Sequence, residues 1–226
     1  MIKGIIFDLD GVIVDTAKHH FKAWSLVAKQ LNIPFGEEQN EDLKGVSRVN
    51  SLEKILQWGD LEINLEKKQE LLDYKNKIYL NLISKISSKD LLPGVYNLIE
   101  TFRMNGYKIA LGSASKNAIP ILKKLELFEL FDEIVDGNLI SISKPDPKVF
   151  LKAASLLGVP KEKCLVFEDA QSGIQAAINA GMYCIAVENK GNLIGAHKKV
   201  NSLNEISDIS VLINDLSNKK PNEAKY

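Results

Sequence analysis

Short apolar segments alternate with longer helical patterns, and this alternation restricts the fold more than any other feature of the chain. The segments that have the character of buried strands are 4–7, 108–111, 164–167, 183–187 and, more weakly, 133–135. Between them apolar residues recur at helical spacing, as they do from Val95 to Phe102. Strands that alternate with helices form a parallel sheet covered on both faces. We therefore predict an α/β fold built on a doubly wound parallel sheet.

One long stretch interrupts this alternation. From about residue 16 to residue 89 the apolar spacing is helical, and no convincing strand is present. Three or four helices inserted after the first strand predict a small helical bundle set on the sheet. We expect a core made of residues 1–15 and 90–226, a helical cap made of residues 16–89, and a loose polar tail from Ser217 onward.

The composition excludes several classes of protein. Lysine plus arginine and aspartate plus glutamate each total 29, so the formal charge is zero and we expect no nucleic-acid partner. No apolar run approaches the ~18–20 residues that cross a bilayer, and the first apolar segment stops at Asp8. We therefore expect neither a membrane span nor a secretory leader. Cys164 and Cys184 lie in apolar runs and favour core positions. A cytoplasmic, monomeric enzyme is the expectation.

Acidic residues stand at the ends of two predicted strands. Asp8-Leu9-Asp10-Gly11 follows the first strand, and Glu168-Asp169 follows the segment 164–167. Ligands of parallel sheets bind at the carboxyl ends of the strands. Buried carboxylates require a cation, and oxygen ligands are those that Mg²⁺ prefers. The sequence therefore predicts a magnesium site where these strand ends meet.

Groups that suit a phosphate follow elsewhere in the chain. The segment Gly112-Ser113-Ala114-Ser115-Lys116-Asn117 leads from a strand into a helix, and hydroxyls with free amides there suit an anion. Lys144 precedes another helix, and a mobile ammonium at that point can balance phosphoryl charge. A carboxylate nucleophile, a metal and donors to the phosphoryl oxygens are the groups that phosphoryl transfer needs.

Each of these features has a plainer explanation when it is taken alone. Asp-x-Asp-Gly is typical of a loop with capping carboxylates, and Ser113 suits a turn. Lys144 suits a solvated loop charge, and Glu168-Asp169 could cap the next helix. The occurrence of all of them, in order and at strand ends, favours the catalytic interpretation.

These four groups resemble the four motifs of the haloacid dehalogenase superfamily of phosphotransferases, and the resemblance covers nearly the whole chain. The helical insertion resembles the cap domain of that superfamily. By this resemblance Asp8 is the nucleophile and Asp10 the general acid and base. Mg²⁺ would be held by Asp8, the carbonyl oxygen of Asp10 and Asp169, with Glu168 assisting. Ser113 and Lys144 would bind the transferring phosphoryl group.

Three further segments resemble the β-phosphoglucomutase branch of the superfamily. They are 15–24, which contains Thr16, His20 and Trp24; 43–51, which contains Lys44, Gly45, Val46, Arg48 and Ser51; and 113–117, which contains Ala114. Members of this branch interconvert β-D-glucose 1-phosphate and glucose 6-phosphate. The resemblance implies a phosphorylated Asp8 and a β-glucose 1,6-bisphosphate intermediate.

A mutase needs a second phosphate site that faces the first, because the bisphosphate must bind both ways round. Arg48 can grip a phosphate bidentately, together with Ser115, Lys116 and Asn117. Lys44, Gly45, Val46 and Ser51 would line the sugar, with Lys75 nearby. Arg48 could equally be a solvated charge, and His20 could either orient Asp10 or pack beside Trp24.

Three other functions remain open at this stage. A Mg²⁺-dependent sugar-phosphate phosphatase would keep the fold and pass the phosphoryl group to water. A receiver-like signalling module also combines Asp, Mg²⁺, a hydroxyl and Lys. The last alternative is a non-catalytic binding protein, and the intact set of motifs argues against it.

The chain departs from close relatives at Val49-Asn50 and at Glu188-Asn189-Lys190. These departures bear on the geometry of loops rather than on the chemistry.

Overall fold

Six parallel strands form the sheet in the part of the chain that the structure, a computed structural model, describes, which is residues 1–188 and 193–219. The strands are Gly4–Phe7 (β1), Lys108–Gly112 (β2), Glu133–Val135 (β3), Cys164–Glu168 (β4), Tyr183–Val187 (β5) and Lys198–Val200 (β6). Their order across the sheet is β3-β2-β1-β4-β5-β6. The predicted parallel α/β fold is confirmed.

Helices from the later part of the chain cover both faces of the sheet. The α-helices of the described residues are Ala17–Gln30 (α1), Glu37–Glu41 (α2), Arg48–Trp58 (α3), Leu65–Leu82 (α4), Val95–Met104 (α5), Ala118–Lys124 (α6), Lys148–Leu157 (α7), Gln171–Asn179 (α8) and Ile209–Ser217 (α9). The helices α5, α6 and α9 lie on one face of the sheet, and α7 and α8 lie on the other. Side chains alternate across a strand, so Ile5 and Phe7 of β1 pack in one apolar cluster and Ile6 packs in another. The central strand is therefore buried on both faces, as its continuous apolar sequence predicts.

The helices α1 to α4 lie within the stretch predicted as a cap. They bury an apolar cluster of their own, which includes Trp24, Ile55 and Leu71. The two connections to this bundle run side by side, because Val14 and Leu91 form an antiparallel bridge. The boundaries at residues 15/16 and 89/90 stay a prediction.

The sequence analysis did not find β6 and α9. The strand β6 has only 3 residues, of which Lys198 and Lys199 are charged, so it lacks the apolar run that marks a buried strand. It pairs at the edge of the sheet, where charged side chains are tolerated. Of the tail expected to be loose from Ser217 onward, Ser217 is the last residue of α9 and Nζ of Lys219 donates to the His197 carbonyl at 2.9 Å, so the expectation is wrong for this described part. The rest of the tail, 220–226, and the departure at Asn189-Lys190 lie outside the described residues. Among the helices that are described, none has the length and apolar character needed to cross a membrane.

Candidate active site

The register of the sheet brings three strand ends to one level. The strand β1 lies between β2 and β4, with Phe7 opposite both Leu111 and Phe167. Asp8 continues the ladder, because its amide donates to the Phe167 carbonyl at 3.0 Å. The residues that follow β1, β2 and β4 therefore lie next to one another at the carboxyl edge of the sheet.

Lys144 joins two of the acidic residues at this edge. Its Nζ lies 2.6 Å from Oδ1 of Asp8 and 2.5 Å from Oε1 of Glu168. Burial lowers the pKa of Lys144, but the charges of Asp8 and Glu168 outweigh burial and raise it above the ordinary value. The side chain is 0% exposed, so the expectations of a mobile ammonium and of a solvated loop charge are both wrong.

Three carboxylates converge beside this ammonium. Oxygens of Asp8, Glu168 and Asp169 lie within 4.8 Å of one another. Burial raises the pKa of Glu168 to about 7 although Lys144 opposes it, and burial and the Glu168 charge raise the pKa of Asp169 well above its ordinary value. Three carboxylates thus lie beside one fully buried ammonium, which cannot offset all of their negative charge. A divalent cation that prefers oxygen would remove the excess, so the donor set fits Mg²⁺.

Local backbone features hold the carboxylates in place. Gly11 has a φ of +80°, and a Cβ at that position would overlap the Asp169 carboxylate, so only glycine lets the two approach. Oε2 of Glu168 accepts hydrogen bonds from the amides of Asp169 and Ala170, each at 2.9 Å. The residue that caps α8 is Ala170, so the alternative in which the acidic pair supplies the helix cap is wrong.

Asp10 lies in a different environment from Asp8. The Thr16 hydroxyl donates to Oδ1 of Asp10, and Nε2 of His20 lies 3.8 Å from the same oxygen. Burial and then the charge of Asp8 raise the pKa of Asp10 to about 6. A carboxyl group that titrates near neutral pH is suited to give and take a proton. The contribution of its main-chain carbonyl to a metal site stays a prediction.

Lys75 of α4 lies deep in the cap. It is 3% exposed, and its Nζ lies 3.0 Å from Nδ1 of His20. The ammonium also lies over the rings of Trp24 and Tyr79, 5.1 and 4.5 Å from their centres. Burial and then the Arg48 charge lower the pKa of Lys75 to about 7. His20 thus lies between Lys75 and the carboxyl group of Asp10.

The cap contributes polar groups from the segment 43–51. Nζ of Lys44 lies 2.8 Å from Glu41 and 3.9 Å from Asp169. The Arg48 guanidinium donates to the Leu72 carbonyl at 3.4 Å, and burial lowers its pKa. Arg48 is therefore half-buried inside the molecule, which contradicts the alternative of a freely solvated charge.

Away from the two connections, side-chain hydrogen bonds join cap and core at the edge that we call the mouth of the site. Nδ2 of Asn50 donates to Oγ of Ser143 at 2.8 Å, and Oγ of Ser172 donates to the Lys44 carbonyl at 2.9 Å. Asn50 is part of the departure from close relatives noted above. Its side chain joins segments that lie far apart in the sequence.

The segment 113–117 forms a tight loop after β2. Ser113 is 1% exposed, and its Oγ accepts a hydrogen bond from the Ser115 amide at 3.1 Å. Oγ of Ser115 accepts from the Asn117 amide at 3.2 Å. Nδ2 of Asn117 donates to Oδ1 of Asn76 in the cap at 3.0 Å. Each serine accepts with its oxygen and keeps its hydroxyl hydrogen for another partner.

A cavity of about 590 Å³ lies between the carboxyl edge of the sheet and the cap. The predicted site residues that line it are Asp8, Asp10, His20, Trp24, Lys44, Gly45, Val46, Arg48, Ser51, Lys75, Ala114, Ser115, Lys116, Asn117 and Asp169. The predicted residues Thr16, Ser113, Lys144 and Glu168 lie behind this wall, in contact with residues that line it. The structure thus gathers the predicted set in one place, and the role of each member stays a prediction.

The cavity also has walls that the sequence analysis missed. The main one is the segment after β3, which contributes Gly137, Asn138, Ile140 and Ser143. The strand β3 was a weak candidate, so the rule that sites lie at the carboxyl ends of strands was not applied to it. Applied there, the rule points directly to this segment.

Comparison with known proteins agrees with this geometry. The model of the haloacid dehalogenase-like hydrolases matches residues 2–181. The chain belongs to this family. A β-phosphoglucomutase of Bacillus subtilis is 43% identical over 208 residues, which cover 91% of this chain and 92% of that protein. A crystal structure of β-phosphoglucomutase from Clostridium difficile is 39% identical, with a TM-score of 0.92 over 96% of this chain and 98% of that one. The predicted resemblance is confirmed.

The chain is also similar to a relative that has a different activity. The phosphorylated carbohydrates phosphatase of Thermotoga maritima is 30% identical over 184 residues, 80% of this chain and 82% of that protein.

The receiver-like alternative is wrong, because receivers have the strand order 2-1-3-4-5, whereas this sheet has β1 between β2 and β4. The family match confirms the prediction of an enzyme.

Proposed function

We propose that the chain is a β-phosphoglucomutase, which interconverts β-D-glucose 1-phosphate and D-glucose 6-phosphate through β-glucose 1,6-bisphosphate. One observation carries the proposal: a single cavity is lined both by Asp8, Asp10 and Asp169 and by Arg48 with Ser115, Lys116 and Asn117. Arg48 and Asn117 contact Leu72 and Asn76 of α4, whereas Asp8 lies at the edge of the sheet. A bisphosphate needs two such sites. The identity of 43% with a β-phosphoglucomutase supports the same reaction.

In the proposed reaction the side chain of Asp8 carries the phosphoryl group. A carboxylate oxygen of Asp8 bonds to phosphorus as the bond from phosphorus to the sugar oxygen breaks, and Asp10 gives that oxygen its proton. In the reverse sense, Asp10 takes the proton from the sugar hydroxyl that attacks phospho-Asp8, and the Asp8 carboxylate is released. Lys144 holds Asp8 at 2.6 Å and supplies positive charge at the reacting carboxylate.

The acidic cluster would hold Mg²⁺ through Asp8 and Asp169, with the Asp10 carbonyl as a further ligand and Glu168 assisting. When bound, the ion supplies positive charge to phosphoryl oxygens. The raised pKa values of Glu168 and Asp169 support a cation at this point.

The pKa of about 6 for Asp10 supports its role as acid and base. Thr16 and His20 contact the same oxygen and orient the carboxyl group in the cavity. The remaining lining residues, Lys44 to Val46, Ser51, Trp24 and Lys75, would contact the sugar. Lys75 and Trp24 offer an amine and an aromatic face, and both suit a polar ring with apolar edges.

The test is a coupled assay. The protein is given β-D-glucose 1-phosphate, Mg²⁺ and a trace of the bisphosphate, and the formation of glucose 6-phosphate and of free phosphate are followed together. The proposal requires that glucose 6-phosphate forms much faster than phosphate. Rapid phosphate release without glucose 6-phosphate would refute it.

That opposite result would support a Mg²⁺-dependent sugar-phosphate phosphatase. The similarity to the Thermotoga phosphatase favours this as the second candidate. The same Asp8 would be phosphorylated, and water would take the phosphoryl group. The side-chain bonds that join the cap to the core over the cavity, Asn50 to Ser143 and Ser172 to Lys44, support a cap able to exclude water, which would favour the mutase. A monomeric state and a cytoplasmic location remain part of the proposal.

A further inference from the structure

The turn that follows β3 is hydrogen-bonded to the loop that carries the proposed second phosphate site. The turn consists of Asp136, Gly137 and Asn138, and the loop is Ser113 to Asn117. We propose that this turn is a positioning element, which fixes the loop so that Ser115 and Lys116 meet the second phosphate. The inference rests on the proposed function, because it assigns a support to a site that the mutase requires.

Main-chain contacts join the turn and the loop at successive points. The Ser113 amide donates to the Val135 carbonyl at 2.9 Å, and the Gly137 amide donates to the Ser115 carbonyl at 3.1 Å. Nδ2 of Asn138 donates to the Lys116 carbonyl at 3.1 Å. The loop is thus bonded before, at and after Ser115, and the direction of the Lys116 side chain depends on these bonds.

Asp136 holds the amide group of Asn138 in the orientation that this contact needs. Asp136 is 3% exposed, and its Oδ1 accepts a hydrogen bond from the main-chain amide of Asn138 at 2.9 Å. Its Oδ2 accepts from Nδ2 of Asn138, also at 2.9 Å. Both hydrogens of that Nδ2 are therefore used inside the protein, one on Asp136 and one on Lys116. Asn138 acts through the loop rather than by donating to a substrate.

Gly137 brings the two backbones into direct contact. A Cβ at this position would overlap the Ala114 carbonyl oxygen and would lie 3.0 Å from the Lys116 amide nitrogen. The contact is backbone against backbone, which leaves no flexible side chain to yield. An added methyl group must therefore displace the loop and the turn relative to one another.

Two variants test the positioning role by different routes. Asn138→Ala removes the bond to Lys116, and Gly137→Ala pushes on the loop without removing a polar group. Each is made in the Asp8→Asn background, and the affinity for β-glucose 1,6-bisphosphate is measured by calorimetry with Mg²⁺. We expect binding to weaken about three- to tenfold for Asn138→Ala, the effect of losing one hydrogen bond, and at least as much for Gly137→Ala.

The same variants with Asp8 intact provide the second readout. Phosphorylation of Asp8 by acetyl phosphate needs only the transferring site. The bond lost in Asn138→Ala holds Lys116 and not Ser113, so in that variant the rate should stay within about twofold of the parent rate. Asn105→Ala is the matched control, since Nδ2 of Asn105 donates to the Thr101 carbonyl at 2.9 Å at the end of α5, outside the cavity wall. It should leave both readouts unchanged while it reports the stability cost of losing such a bond.

The inference is overturned if bisphosphate affinity is unchanged in either variant, or if affinity and acetyl phosphate reactivity fall together in step with the melting temperature. An effect of Asn138→Ala alone would indicate a direct contact with the ligand and would also contradict positioning. Failure of the parent protein to bind bisphosphate at all would instead refute the proposed mutase, so the two failures are distinct.

Discussion

Replacement of Lys75 by Met should stabilise the fold near neutral pH, and the gain should shrink as the pH rises. Burial and then the Arg48 charge lower the pKa of Lys75 from 10.5 to about 7 in the folded chain. The side chain is 3% exposed. Methionine keeps an apolar stem against Trp24 and Tyr79 and removes the charged group. The change therefore isolates the cost of placing an amine at this position.

The magnitude follows from proton linkage. Between pH 7 and 10.5 the unfolded chain holds a proton on Lys75 that the folded chain has lost, so stability rises with pH across this window. The lowered pKa corresponds to a cost of roughly 4–5 kcal/mol when the folded group must be charged. Most of that cost is present at pH 7, and about 3 kcal/mol of it disappears by pH 9.5. The stability advantage of Lys75→Met should narrow by about the same amount.

Urea denaturation of both proteins at pH 7 and pH 9.5 measures this difference, with m-values compared to exclude a change in the unfolded state. Lys77→Met is the control, because Lys77 is exposed on the same helix. Its effect on the free energy of unfolding should be small and equal at the two pH values. A pH-independent difference between the parent and Lys75→Met would refute the reasoning, as would a variant that is less stable at pH 7.

Three further predictions concern the chemistry. Asp8→Asn should lower turnover by about 10⁴-fold or more and leave no phosphorylated protein in the mass spectrum after acetyl phosphate treatment; residual turnover near the parent level would remove Asp8 as nucleophile. Arg48→Ala should raise the KM for the bisphosphate by about 10- to 100-fold while acetyl phosphate still phosphorylates Asp8, with the exposed Arg103→Ala as control; equal losses in both readouts would contradict two phosphate sites. Saturating Mg²⁺ should raise the free energy of unfolding by about 2–3 kcal/mol at a hundred times its Kd, and Asp169→Asn should abolish most of this gain; an unchanged response in the variant would place the ion elsewhere.

Much of the fold could be predicted because its signals are local. The strand β1 is a run of apolar residues from Gly4 to Phe7 that stops at Asp8, and β4 stops at Glu168 in the same way. Parallel pairing places such ends together without further information. The sequence therefore predicts that Asp8 meets Glu168 and Asp169 provided that β1 and β4 are neighbours, and the strand order of the structure supplies that condition.

The contacts that complete the site could not be predicted in this way. The pair Asn50 and Ser143 is separated by 93 residues, and no local pattern connects them. The burial of Lys144 depends on two carboxylates that arrive from β1 and β4. The sequence near Lys144 is polar and suggests an exposed loop. The contact between Asn50 and Ser143 and the burial of Lys144 both depend on packing between distant segments. No spacing of residues along the sequence reveals such packing.

The way in which cap and core meet bears on how a mutase could release and rebind its intermediate. Near the connections, Tyr79, Ile83 and Ile86 pack in the same apolar cluster as the sheet. At the mouth the contacts include the single polar bonds of Asn50 to Ser143 and of Ser172 to Lys44. Water can replace such a bond at a net cost of about 1 kcal/mol, whereas separation of the apolar cluster would expose buried surface. We therefore expect the cap to open at the mouth and pivot about its apolar end, which keeps Lys75 and Tyr79 packed while the bisphosphate turns round.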